Sequence, residues 1–218
     1  MITTRSTYGY IGGSDANRLF GSFDTPTFSA WWDERLTGIR FNSFSTLDTA
    51  VGNIMEARIL DEVGVDRKYR SIKKEKEGTM AGINTDALDE IRYHEVKTAL
   101  VEDVYDWIIG KAIPTEKRRQ ILHGMYVTER REACIHVLGM TREEKHNPYL
   151  VDLNGRVKTF IFDEYGIVRG HGFSIQCKNP KPFDFEDYDR RVRYLTACFE
   201  RKVRPSDDSF KKFLNQFL

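Results

Sequence analysis

The chain has 218 residues, 40% of them hydrophobic and 31% charged, with a formal net charge of +1. That length suits a single domain with a real core, and so small a net charge argues against a protein that coats nucleic acid. No apolar run approaches bilayer length and the first residues lack a signal-peptide core. Cys134, Cys177 and Cys198 match no disulfide or zinc spacing, so reduced cytoplasmic thiols and no membrane partner are expected.

Ile11-Gly12-Gly13-Ser14-Asp15, running on to Gly21, reads as a short helix that starts behind paired glycines. Its N-terminus is either a plain cap or an anion site, because free N–H groups and the Ser14 hydroxyl suit a phosphate. Residues 26 to 38 predict a second helix, with Pro26 in the first turn and Gly38 as the stop. In it Trp31 and Trp32 are read as core anchors rather than base-stacking platforms. A third helix runs from about Ser45 to Val63, capped by Gly64, with Leu47, Val51, Ile54, Met55, Ile59 and Val63 as its apolar stripe. Glu56 lies beside that stripe and needs a partner, either a salt bridge or a metal site.

From 65 to about 98 the pattern turns to strands. Gly82 to Asp86, a turn carrying Asp89 and Glu90, and Tyr93 to Lys97 read as strand, turn and strand. Side chains alternate along a strand, so Glu95 and Lys97 share one face while Val96 points into a core. Asp86 then lies beside Glu95. Two clustered carboxylates raise each other's pKa unless a cation sits between them, and Mg²⁺ takes one or two carboxylates together with phosphate and water. Acid-x-Lys triplets also occur at Asp66–Lys68, Glu143–Lys145 and Glu200–Lys202. Only Glu95–Lys97 has an apolar middle residue and an aspartate nine positions upstream across a turn.

Residues 101–109 and 114–127 read as helices, the second with Gln120, His123, Gly124 and Val127 on one face. Strands are predicted at 133–139, 147–153 and 157–163, with Asn154-Gly155 as a hairpin turn, and again from Gly172 to Lys178. Helices at 184–203 and 207–217 close the chain. Basic residues cluster at 67–76 and at 190–204, and either group suits phosphates. The order of elements predicts an α/β or α+β domain, a central mixed sheet flanked by helices.

Asp86 with Glu95-Val96-Lys97 resembles the PD-(D/E)xK nuclease motif, with Thr85 in place of its proline. Five stretches in order, Ile11–Asp15, Gly52–Arg58, Gly82–Asp86, Glu95–Lys97 and Gln120–Thr128, resemble the phage-type alkaline exonucleases, the lambda exonuclease or YqaJ-like viral recombinase group. The resemblance covers roughly residues 11 to 140 and leaves 145 to 218 unassigned within a single nuclease domain. It implies a restriction-endonuclease-like core. By it, Asp86, Glu95, Glu56 and the backbone carbonyl of Val96 hold Mg²⁺, or Mn²⁺ in its place, and Lys97 stands beside the attacking water. It further implies that Gln120 faces the site and that Ser14 meets the phosphate of a DNA end. Leu122 replaces a second glutamine common in the family, so His123 or Tyr126 is expected to share that role and to touch DNA. Arg5 is the candidate for the family's arginine ahead of the serine. The activity implied is digestion of one strand of duplex DNA from an end, 5′ to 3′, giving single strands for recombination. An annealing protein, a ring-shaped homo-oligomer and the cytoplasm of a bacterial host are the implied context. An endonuclease of the same superfamily, or a non-catalytic binding module, is the alternative.

Overall fold

A computed structural model describes residues 10–38, 46–110, 113–170 and 182–216, the side chains of 108–110 and 167–169 excepted. Arg5, Cys177 and the strand expected at 172–178 lie outside the described residues. The fold is α+β, as the order of elements predicts. Its frame is a five-stranded mixed sheet in the order β3-β4-β5-β6-β7: β3 (Ala87–Leu88), β4 (Arg92–Leu100), β5 (Glu132–Met140), β6 (Val157–Asp163) and β7 (Gly166–Gly170). β4 and β5 are parallel, with Glu95 opposite Ile135. A parallel pair needs a long crossover, and α3 (Val101–Gly110) and α4 (Thr115–Thr128) supply it. A separate ribbon, β1 (Lys73–Glu75) with β2 (Gly82–Asn84), precedes the sheet.

Alternation along β4 and β5 divides the molecule into two apolar cores. One face gives Tyr93, Ile135 and Val137 to a core shared with α4 and with the aromatic residues of α1 (Pro26–Thr37) and α6 (Phe185–Glu200). The other gives Val96 and Leu138 to a core with Val51, Met55 and Ile59 of α2 (Leu47–Glu62). Trp31 and Trp32 are buried anchors, as their helical spacing suggests. Gly124 lets α4 settle on the sheet, because a Cβ there would stand 2.3 Å from the Tyr93 ring.

Several sequence expectations need correcting. The first element, Gly13–Phe20, is a 3₁₀ helix, pinned to β2 by Ile11, which bonds to the backbone of Met80 and Gly82. Residues 147–153 are not a strand. Pro148 has no N–H for a ladder, and a 3₁₀ turn at Pro148–Leu150 forms instead. The Arg58 guanidinium holds the carbonyls of Pro148 and Val151, each at 2.5 Å. Asn154-Gly155 therefore joins no hairpin; the hairpin turn is Glu164–Tyr165, between β6 and β7. The charge cluster after Met140 is a short helix, α5 (Arg142–His146), started by a capping box of Thr141 and Glu144. The C-terminal part belongs to the same body. β6 and β7 extend the sheet, α6 joins the larger core, and α7 (Asp207–Leu214) places Phe210 in it.

Candidate active site

β3 is only two residues long, so the edge of β4 beyond it is unpaired among the described strands, and the candidate site forms there. Asp86, at the bend between β2 and β3, is half-buried and accepts the Val96 N–H at 2.7 Å. The N–H and C=O of one strand residue face the same edge, so the Val96 carbonyl also points to Asp86's side. Glu95 is 4% exposed. Its Oε1 accepts from Gln120 Nε2 at 2.9 Å and from the Lys97 ammonium. Glu56 comes from α2, half-buried, and lines the same cleft of about 580 Å³.

Three acids meet one ammonium here. Burial pushes the Asp86 carboxyl well above the usual range, and the charges of Glu95 and Glu56 add to it against Lys97 and the Val96 N–H. Burial alone would lower the Lys97 ammonium; the Glu95 carboxylate bonded to it, with Asp86 and Glu56 behind, turns the shift upward. Surplus negative charge, oxygen donors only and a cleft open to solvent fit a hard divalent cation such as Mg²⁺. Asp86, Glu95, Glu56 and the Val96 carbonyl are the groups that would hold it.

The glycines at 12 and 13 bring the 3₁₀ helix against this cluster. A Cβ on Gly13 would stand 3.1 Å from Gln120 Cγ. Ser14 is exposed at the mouth of the cleft and also lines an adjoining hollow of about 300 Å³ with Arg18 and Lys117. It does not cap its helix. Asp15 does, accepting the Gly12 N–H at 3.0 Å. Asp15 also accepts Trp31 Nε1 at 2.9 Å and Arg35 at 2.7 Å, a buried knot behind Ser14. Asp15 and Arg35 also line the cleft, a pairing with no signal in the sequence because they stand 20 positions apart on separate helices. Lys73 and Asn84 also line the cleft; the one signal for Lys73 was its place in the basic run 67–76.

His123 and Tyr126, expected to touch DNA, are both buried in the core. His123 is fully buried, its ring bonded to the Tyr188 hydroxyl at 2.8 Å and facing the Gly82 carbonyl at 3.0 Å. Burial lowers its pKa, so it is a neutral core residue. Tyr126 is 6% exposed and donates to Asp189 at 2.7 Å. The second basic group is largely neutralised in place, with Arg190, Arg191, Arg193 and Arg204 paired to Glu186, Asp187, Asp189 and Asp33.

No family model and no curated protein matches the chain. Solved structures do. An alkaline exonuclease, LHK-Exo, from Laribacter hongkongensis superposes with a TM-score of 0.62 at 11% identity, over 96% of this chain and 95% of that one. LHK-Exo in complex with dAMP gives 0.61 at 13% over the same shares. A phage-related exonuclease from Haemophilus somnus 129PT gives 0.53 at 13%, over 96% of each chain. At these identities the likeness is one of fold. It reaches the group that the sequence motifs resemble, and it extends past residue 145, where the motifs stop.

Proposed function

We propose that this chain is a Mg²⁺-dependent deoxyribonuclease that digests one strand of a duplex from an end. The observation that carries the reading is the meeting of Asp86, Glu95, Glu56, Lys97 and Gln120 at the unpaired edge of β4, in a fold shared with alkaline exonucleases. Mg²⁺ held by these groups would supply Lewis-acid polarisation of the scissile phosphate and lower the pKa of a water so that hydroxide is available to attack. The chain supplies the rest. Gln120 fixes the Glu95 carboxylate from the α4 side, and the Val96 N–H fixes Asp86. Lys97 carries a charged ammonium two residues after Glu95 on the same face, where it orients the water and offsets charge growing on the phosphate.

The DNA end is assigned to the mouth of the cleft. The Ser14 hydroxyl has no hydrogen bond to the described residues, and Arg18 and Lys117 line the hollow beside it together with Glu116. A terminal 5′ phosphate docked there favours 5′ to 3′ digestion. By resemblance, the single strands produced feed recombination through an annealing protein, and copies of the chain assemble around DNA in the cytoplasm of a bacterial host. Among the described residues no helix is long and apolar enough to cross a membrane.

The test is digestion of linear, nicked and closed circular duplex with and without Mg²⁺. Degradation of linear DNA alone, only with Mg²⁺, supports the proposal. Cutting of closed circles indicates an endonuclease, and binding without cutting indicates a non-catalytic module. A second comparison concerns the end: faster digestion of 5′-phosphorylated than 5′-hydroxyl duplex, a difference erased by Ser14→Gly, is expected. Equal rates in the unmodified protein would remove the phosphate pocket.

A further inference from the structure

On the opposite face of β4 and β5 from Glu95 and Lys97, three metal-binding side chains converge. His94 and Cys134 are partners across the parallel pair, and His136 follows two residues on. Their ligand atoms all lie within 4.8 Å of one another, and the three residues are 7%, 5% and 3% exposed. They escape any sequence motif, because parallel pairing joins residues 40 positions apart.

The hydrogen bonds around them are those of a ligand set. His94 Nε2 stands 2.9 Å from Asp89 Oδ2, and His136 Nδ1 stands 2.9 Å from Thr159 Oγ1. Both outward nitrogens are thus held by protein groups, the arrangement that fixes ring orientation in metal-binding histidines. The inward nitrogens, His94 Nδ1 and His136 Nε2, face each other at 2.9 Å across stacked rings. On a tetrahedral zinc with Zn–N near 2.05 Å, two nitrogens stand about 3.3 Å apart. Between the imidazoles, exchanging the shared proton for an ion therefore needs an opening of a few tenths of an ångström, and the Cys134 sulfur, within 4.8 Å of both, would close to about 3.6 Å.

We propose that His94, Cys134 and His136 form a second metal site, for a borderline transition ion such as Zn²⁺, separate from the acid cluster that would hold Mg²⁺. Two imidazoles and a thiolate select such an ion over Mg²⁺. Water completes the coordination, since no fourth protein donor joins the group among the described residues. Asp89 and Thr159 orient the rings. The ion staples the β3–β4 turn, β4, β5 and β6 together directly beneath the residue that carries the Glu95 carboxylate. Protons balance simply. His94 donates its Nε2 proton to Asp89, so the proton between the stacked rings belongs to His136 Nε2, and burial keeps Cys134 a thiol without the ion. On binding, the His136 proton moves to Nδ1 and the thiol proton leaves, so about one proton is released per ion.

The test uses the full chain, stripped with chelator and held in excess Mg²⁺ to saturate the acid cluster. Titrated Zn²⁺ should bind one per chain, raise the melting temperature and release about one proton. Co²⁺ in its place should give thiolate-to-cobalt absorption, lost in Cys134→Ser. Asp89→Asn, which keeps the turn's hydrogen-bonding shape but removes the charge behind His94, should weaken Zn²⁺ by about ten- to a hundredfold. A wild-type cobalt spectrum without the thiolate band overturns the site whether or not any variant folds, as does a band that survives Cys134→Ser. Retention of the site in Asp86→Asn, which should lose Mg²⁺ binding, keeps this result distinct from the nuclease proposal.

Discussion

Two clusters of withdrawn charge lie side by side, and they are balanced in opposite ways. Around Asp15 one carboxylate meets one guanidinium, one indole N–H and one backbone N–H, so every oxygen has a donor and the charges cancel. Around Asp86 the carboxylates of Glu95 and Glu56 add to burial and outweigh the Lys97 ammonium, so the Asp86 proton is hard to remove. The first cluster is complete without a ligand and holds the 3₁₀ helix in place. The second keeps a carboxyl under strain by its own electrostatics, and a cation is the partner proposed for it.

If this contrast is right, breaking the balanced cluster should cost stability. Asp15→Asn removes the charged acceptor that the buried Arg35 bonds at 2.7 Å, and a loss of about 3–5 kcal/mol in chemical denaturation is expected. Restoring much of it by Asp15→Asn with Arg35→Met would show that the cost lies in the pairing of these two charges. In the unbalanced cluster the main loss should be activity. Lys97→Ala should lower Mg²⁺-dependent turnover by about 10²- to 10³-fold. The same variant strips Glu95 of its cation, so the metal-free protein should lose about 1–3 kcal/mol, part of it regained in Mg²⁺. Turnover near wild type would remove Lys97 from the chemistry.

Smaller changes sharpen the contrast at its border. Gly13→Ala pushes a Cβ against Gln120 and moves it a few tenths of an ångström off Glu95. A loss of up to about tenfold in turnover with unchanged melting is expected, whereas a large drop in stability would mean that Gly13 serves the fold alone. His123 shows a third way to bury a titratable group, by staying neutral. Its folded pKa lies below the ordinary 6.5, so as pH falls the unfolded chain takes up the proton first. Its contribution is complete above about pH 6.5 and declines below it, by at most about 1.4 kcal/mol per pH unit. Denaturation series from pH 8 to 5 should show a shallower acid slope in His123→Gln.

The acid cluster was legible because its chemistry is local. Glu95 and Lys97 sit on one strand with an apolar residue between them, Asp86 is one short turn away, and Glu56 interrupts an apolar stripe. Gln120 and His123 share a helical face in the sequence, yet α4 is buried from Ile121 to Thr128, so periodicity could not tell the residue at the rim from those in the core. The Asp15–Arg35 pair and the His94–Cys134–His136 group depend on packing between distant segments, which leaves no pattern along the chain. The strand expected at 147–153 does not form for a local reason: Pro148 has no N–H to give a ladder, whatever the apolar content around it.

The most direct test is a calorimetric Mg²⁺ titration of the wild type and of Asp86→Asn, with the melting temperature of each taken without metal. The account predicts that Asp86→Asn loses the Mg²⁺ heat and the nuclease activity while melting at or above the wild-type temperature, because one of three crowded carboxylates has gone. An unchanged Mg²⁺ isotherm in Asp86→Asn would contradict it.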